Sequence, residues 1–337
     1  WTEPYLSPTC SRIVNAILFC LLSHADEWRY GLGGEFNSDS HMVFDLGYKD
    51  DLLQIELRTD TLEIKRTLNS NLGKKWGLIR GEALIASLMP YPWMDGAPRE
   101  ELGSKASYGQ AEFGSLRYFQ WQTYAGGVIQ FGQQWFDHSE QSLYSDDLSN
   151  RFVTSPQVIL GRHNEALQAY SIFGTHLINA NPQSTQGYVK AQLKWAPKKS
   201  IGPIINSYAG MGDELDAFHR FRLGGLNPYS IPMAGAGWGE WWVKKYAVAQ
   251  FGMNFNFDVH SISYSVIPYG DLAIFDSQTT AGFGLDLSLK KGDWAGNIKW
   301  GTAPWIERQL DISRQSLWVY VGKSYSLNKK SQKMKIK

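Results

Sequence analysis

Asp213, Glu214, Asp216, His219, Arg220 and Arg222 lie within ten residues of one another. Carboxylates beside guanidinium groups form strong, often bidentate hydrogen bonds. Inside a pore such a cluster would line a constriction or anchor a loop. Outside one it would be the solvated base of a loop, and the residue types alone allow both. His163, His176 and His219 would suit a hydrolytic centre. However, the sequence carries no Gly-x-Ser-x-Gly elbow, no His-Glu-x-x-His and no supporting carboxylate–histidine spacing. Gly31-Leu32-Gly33-Gly34 is followed by neither the Lys-Ser/Thr pair nor the helix that a phosphate loop needs. The expectation is therefore a non-enzymatic protein with no catalytic residue, no metal and no cofactor. Trp238, Trp241 and Trp242 would either stack on a sugar or form part of an aromatic girdle at a bilayer interface, and the girdle is the reading adopted.

The segments that must position these residues alternate apolar and polar side chains. In 247–258, Ala247, Ala249, Phe251, Met253, Phe255 and Phe257 share one face, and Val248, Gln250, Gly252, Asn254, Asn256 and Asp258 share the other. Successive strand residues point to opposite sides, so the segment has one greasy and one wet face. Residues 188–195 and 281–290 repeat the pattern. A transmembrane barrel produces it with lipid outside and water inside. A soluble sandwich produces it by burying the apolar faces between two sheets.

Candidate strands are 28–37, 41–49, 52–58, 62–68, 76–88, 107–119, 122–136, 152–161, 166–178, 186–196, 202–210, 241–257, 261–275, 280–290, 294–301 and 316–326. The fold class is all-β, a transmembrane antiparallel barrel of about 16 strands, within about 12–16. The hydrophobic phase changes around Thr59-Asp60-Thr61, which predicts a tight turn or a bulge. Longer loops are expected at 90–98, 138–150 and 212–238. Glu56, Arg58, Arg80, Glu82 and Glu112 would point into the lumen.

Arg12, the apolar run Ile13–Leu22 and the small-x-small site Ser23-His24-Ala25 read as a secretory signal peptide, residues 1–25. The run is too short to span a bilayer as a helix. Cleavage after Ala25 would remove both cysteines, Cys10 and Cys20. The barrel would occupy 26–327, followed by a basic tail at 328–337 that solvates the end of the chain. A net charge of +1 gives no argument for nucleic acid. The 14 Trp and 33 Gly suit a barrel and a carbohydrate-binding β-protein equally, so composition does not choose between them.

The last third carries a resemblance. Phe221-x-x-Gly224-Gly225 ends one segment, a Gly/Pro-rich loop follows, and Glu240 opens a long strand. Next come a strand ending near Asp276, a Gly282-x-Gly284 strand and two final strands, the last ending at Leu327. This order resembles the C-terminal barrel of the bacterial surface antigen superfamily, which includes outer-membrane insertases and two-partner-secretion transporters. The resemblance covers roughly 202–327 and implies that the loop near 226–237 folds back into the barrel. Arg222, Gly224, Gly225, Asn227, Pro228, Tyr229 and Glu240 then become loop and lumen residues, together with Asp213, Glu214, Asp216 and Arg220. Two features depart from the family. Its loop carries an Arg-Gly-Phe/Tyr motif, with the Arg near an acid inside the barrel, whereas this loop has Asn227-Pro228-Tyr229. The family also places periplasmic domains before the barrel, and here the first strand follows the expected cleavage site directly.

The expected function is an outer-membrane transport, pore-type or insertase-like barrel. Its partners would be outer-membrane lipid and, during biogenesis, the barrel-assembly machinery. The alternatives are a structural or anchoring barrel acting through a partner protein, and a secreted soluble glycan-binding β-protein.

Overall fold

The computed structural model describes residues 27–36, 40–49, 53–58, 61–70, 75–88, 93–94, 97–138, 140–180, 183–197, 200–226, 231–237, 239–276, 278–304 and 315–326. The expected signal peptide with Cys10 and Cys20, the basic tail, Asn227, Pro228, Tyr229 and Trp238 lie outside the described residues.

The first strands are β1 (Glu27–Phe36), β2 (Ser40–Lys49), β3 (Leu53–Arg58), β4 (Thr61–Ser70) and β5 (Lys75–Leu88). A small hairpin, β6 (Trp93–Met94) with β7 (Ala97–Pro98), sits in the next loop. Then come β8 (Ser104–Tyr118), β9 (Thr123–His138), β10 (Arg151–His163), β11 (Leu167–Asn179), β12 (Ser184–Trp195) and β13 (Ile201–Gly212). A second small pair, β14 (Phe221–Leu223) with β15 (Trp241–Val243), brackets the long loop. The chain ends with β16 (Lys245–Val259), β17 (Ile262–Phe275), β18 (Gln278–Lys291), β19 (Trp294–Thr302) and β20 (Gln315–Ser326). Apart from the two small pairs, each strand is antiparallel to its neighbour in sequence. β1 also pairs with β20, from Glu27↔Ser326 to Phe36↔Leu317, so the sheet closes on itself.

Leu57 stands opposite Leu62, so β3 and β4 pair as a hairpin, in keeping with the turn among the two alternatives expected there. One local expectation is corrected. The expected 241–257 strand is two strands. Asp276 Oδ1 accepts the N–H groups of Lys244 (3.2 Å) and Lys245 (3.1 Å), and there the chain leaves the loop pair and joins the wall. The turn between β16 and β17 consists of His260 (φ 48°) and Ser261 (φ 64°). Two positive φ values match the right-handed strand twist, although neither residue is the Asn or Gly that usually signals such a turn.

The connections differ at the two ends. The strand ends flanking the longer connections, Leu88 and Ser104, His138 and Arg151, Gly212 and Lys245, and Thr302 and Gln315, all lie at one end, with Phe36 and Ser40. The opposite end has short connections such as 164–166, 260–261 and 292–293.

Burial is inverted relative to a soluble protein. Phe251 is 56% exposed, Ile274 51% and Phe283 46%, whereas Gln250 and Asp271 are each 9% exposed. A sandwich would bury the first set between sheets; here the apolar faces are outside and the polar faces inside. This overturns the soluble glycan-binding alternative. Arg80 stands opposite Glu112, which is 9% exposed. The side chains of Glu56, Arg58, Arg80 and Glu82 lie outside the described residues.

Tyrosine rings cover glycines on adjacent strands. Tyr124 lies over Gly161, Tyr188 over Gly174, Tyr246 over Gly210 and Tyr269 over Gly284, each pair directly opposite in register. A Cβ at any of these glycines would overlap the ring.

Closure gives the first prediction. Leu32 and Val321 are opposed across β1–β20 and both point outward. With Cys10 and Cys20 replaced, a Leu32→Cys/Val321→Cys pair forms an intramolecular disulfide on mild oxidation, since opposed Cα atoms lie about 4.5–5.5 Å apart, within the span of a disulfide. Leu32→Cys/Leu317→Cys, four residues along the strand and about 13 Å off, does not. Mass spectrometry of the oxidised monomer reads the result; equal cross-linking of both pairs contradicts the register.

Candidate functional site

The loop between β14 and β15 turns into the lumen, and the inner wall holds it by its backbone. Leu226 N–H donates to Glu35 Oε1 at 3.0 Å, Ala234 N–H to Asp271 Oδ2 at 2.7 Å, and Gly235 N–H to Ser316 Oγ at 3.2 Å. Gly237 N–H donates to Glu240 Oε2 at 2.8 Å. Glu35, Ser316 and Glu240 are buried, as is Asp271. Hydrogen bonds to charged groups contribute about 1.5–3 kcal/mol each, and a buried N–H left without one is costly.

Apolar packing seats the same loop. Met233 and Ala236 join Leu223, Val243, Val248 and Phe275 in one buried cluster, and Leu226 packs with Val43 and Trp318 in another. Glycines on the wall make room for it. A Cβ on Gly282 or on Gly301 would stand 2.9 Å from Ala234 Cβ. Gly282 is the first glycine of the Gly-x-Gly strand that carried the family resemblance, and loop clearance is the physical reason for it. Gly224 (φ 113°) and Gly225 (φ 91°) supply the entry bend, and a Cβ on Gly224 would overlap the Gly237 carbonyl.

A second polar centre lies where the long loops meet the wall. Asp216 Oδ2 accepts from Gln186 Nε2 at 2.9 Å and His219 Nδ1 at 3.0 Å, and forms an ion pair with Arg151 at 3.0 Å. Asp216 Oδ1 accepts the N–H groups of Phe218 and His219. Arg151 Nε donates to Gln134 Oε1 at 2.8 Å, and Gln134 Nε2 donates to His219 Nε2 at 3.1 Å. This chain of partners places the His219 ring proton on Nδ1. Burial works against ionisation of Asp216. The hydrogen bond from His219, the charge of Arg151 and the bond from Gln186 outweigh it and hold the carboxyl below the usual carboxylate range.

His176 stacks on His219 at 4.3 Å and hydrogen-bonds Ser155 Oγ at 2.7 Å. The groups of a serine hydrolase are near each other but wrongly connected. Asp216 orients His219 while the serine meets His176, and Ser155 is 2% exposed. The arrangement is a buried polar clamp.

The expected site residues thus separate. Gly224, Gly225 and Glu240 shape the loop, and Asp216 is the centre of the clamp. Arg220 and Arg222 line a cavity of about 620 Å³ whose boundary on the loop side is Leu226, Ile231 and Pro232. Arg222 also lies over the Trp242 ring at 5.2 Å. Asp213 and Glu214 are exposed, so for these two the solvated loop base is the correct description. Trp241 packs on Phe275 at 5.0 Å and joins the loop cluster, and Trp242 packs in a separate cluster with Ala106, Tyr108, Phe136 and Phe218, so neither belongs to an outer girdle. Glu35, Asp271, Ser316 and Arg151 were not expected. Polar residues on otherwise strand-like segments were the available signal, but their partners are up to 191 positions away.

Comparison with solved structures finds similar barrels. CdiB from Acinetobacter baumannii is 12% identical with a TM-score of 0.60, over 89% of this chain and 60% of that one. CdiB from Escherichia coli is 12% identical with a TM-score of 0.61, over 90% and 63%. BamA from Haemophilus ducreyi lacking POTRA domains 1-3 is 10% identical with a TM-score of 0.60, over 90% and 71%. No family model and no curated sequence matches the chain. The chain spans less than two thirds of the CdiB chains, and at these identities the likeness is one of fold. That fold is the one the Gly-Gly, Glu and Gly-x-Gly order resembles.

The clamp yields a pH prediction. A carboxyl whose folded value is depressed stabilises the fold above its unfolded value, about 3.9, and loses that contribution as pH falls through the folded value. Protection from hydrogen exchange across 213–220, taken relative to the intrinsic rate at each pH, should therefore be high at neutral pH and fall only below about pH 4. Asp216→Asn, which leaves Arg151 buried without its counter-charge, should be loosened already at pH 7, by about 3–5 kcal/mol. Equal protection in the two proteins at pH 7 would remove Asp216 from this role.

Proposed function

We propose that this protein is an outer-membrane barrel of sixteen spanning strands whose lumen is gated by the inward loop, and that it conducts or transports small solutes when the loop is displaced. The observation that carries the reading is the inverted wall: an apolar band faces outward while Glu35, Asp45, Glu112, Gln250 and Asp271 are buried inside. Closed barrels satisfy every backbone group and so can cross lipid. The strand order and the likeness in fold to CdiB and BamA support the reading. Short turns at one end and longer loops at the other match periplasmic and extracellular ends respectively.

An anchoring barrel that works through a partner is the second reading. What favours it is the number of contacts on the loop: four backbone amides are taken by side chains, three of them on the wall. A loop held this firmly would keep the lumen closed throughout.

One experiment separates them. The purified chain is folded into lipid vesicles and checked by the gel mobility of unboiled against boiled samples. Conductance is then measured in planar bilayers for the wild type and for Glu35→Ala/Asp271→Ala. The gated-pore reading expects small or rare openings in the wild type and a several-fold larger conductance in the variant, because Leu226 and Ala234 lose their acceptors at about 1–3 kcal/mol each. A heat-modifiable variant with no conductance would defeat the pore reading and leave the anchoring one.

A further inference from the structure

The cavity beneath the inward loop has an unusual charge. Its lining includes Lys190 and Lys194 of β12, Arg220 and Arg222 on the loop side and Lys299 of β19, with Asp286 as the carboxylate among the described lining residues. Asp286 is engaged, since Lys299 Nζ lies 3.6 Å from its Oδ2 and Asn297 donates to its Oδ1. The chain as a whole is almost neutral, with 33 Lys and Arg against 32 Asp and Glu. The excess is therefore local to the chamber and does not follow from a basic composition.

The cations come from three separate parts of the fold and converge on one space. Lys190, Gln192 and Lys194 alternate with Val189, Ala191 and Leu193, so the wall's own periodicity turns both lysines inward. The topology then brings Lys299 to the same chamber from a strand more than a hundred residues later. Like charges gathered between low-dielectric walls repel each other, and an anion relieves that repulsion while gaining from the focused field. Tyr208, Tyr246 and Tyr269 line the same space and add hydroxyl groups, while the Tyr170 hydroxyl donates to Gln192 Oε1 at 2.7 Å.

A second cavity of about 800 Å³, lined by Asp258, Ser263, Ser265, Ser288 and Lys290, adjoins the chamber through the shared residues Asp286 and Lys299. Those residues lie toward the short turns at 260–261 and 292–293, away from the inward loop.

We propose that this chamber is a binding site for small phosphate-bearing solutes that enter from the short-turn end. Several cations around one centre suit a group with more than one charge and several acceptor oxygens, and guanidinium forks match phosphate geometry. The volume lies within the usual range for small-molecule sites, about 300–1,000 Å³. The site rests on the closed-barrel reading but does not require the loop to open.

The test uses the full chain folded in detergent micelles, its closure checked by gel mobility, with calorimetric titration of inorganic phosphate, glucose 6-phosphate and glucose. Both phosphate probes are expected to bind, more weakly as salt is raised, and glucose is not. In Lys190→Gln/Lys194→Gln the affinity falls about tenfold while the mobility shift is unchanged. Tighter binding of the ester or of the free ion each supports the site and identifies the source. A mobility-shifted protein that binds neither probe, or a double variant that binds as well as the wild type, overturns the proposal. Loss of the mobility shift in the wild type overturns the barrel, and the chamber with it.

Discussion

Everything described above depends on the ladder between β1 and β20. Without it the sheet has two edges, each a row of unpaired backbone N–H and C=O groups. With it the backbone is satisfied around the whole circumference, and side chains alone decide what faces outward. An apolar residue such as Phe251 can then be exposed and a polar one such as Asp271 buried without breaking a ladder bond. Closure also creates an interior, and the loop, the clamp and the cationic chamber all lie within it.

The interior is organised by acceptors fixed to the wall. Glu35, Asp271 and Ser316 sit on three different strands, and each takes a backbone N–H of the same loop. Backbone recognition leaves the loop's side chains free to pack, and Met233 and Leu226 do so against separate clusters. In the family that the sequence resembles, a loop arginine faces an acid inside the barrel. Here Asp271 meets the amide of Ala234, and Arg222 lies beside Trp242, so this loop is held by its backbone.

Much of the wall was legible in the sequence, because period-two alternation fixes both strand and face, and Phe251 or Gln250 needs no partner to be assigned. The inward loop was legible only through the family resemblance that Gly224-Gly225 helped to carry, and their positive φ values supply its physical reason. What could not be read were contacts set by closure. Glu35 looks like any strand carboxylate until its acceptor role for Leu226 is seen, and His176 looks unrelated to His219 until the strands bring their rings together. The division of 241–257 into two strands was hidden for the same reason. Its cause, Asp276, is a turn residue of a later hairpin. Trp241 and Trp242 were misplaced because hydrophobicity cannot distinguish a lipid-facing ring from one packed inside the barrel.

The tyrosines lying over glycines have a consequence for assembly. Alternation forbids a strand to slip by one residue, since every side chain would change face. It says nothing against a slip of two, which keeps all faces correct. The rings do. Moved by two, Tyr124 would stand opposite Ile159 or His163, and Tyr188 opposite Ile172 or His176, where a side chain occupies the space that a glycine leaves empty. Each pair therefore acts as a vernier mark, distinguishing one register from the next equivalent one as neighbouring strands meet.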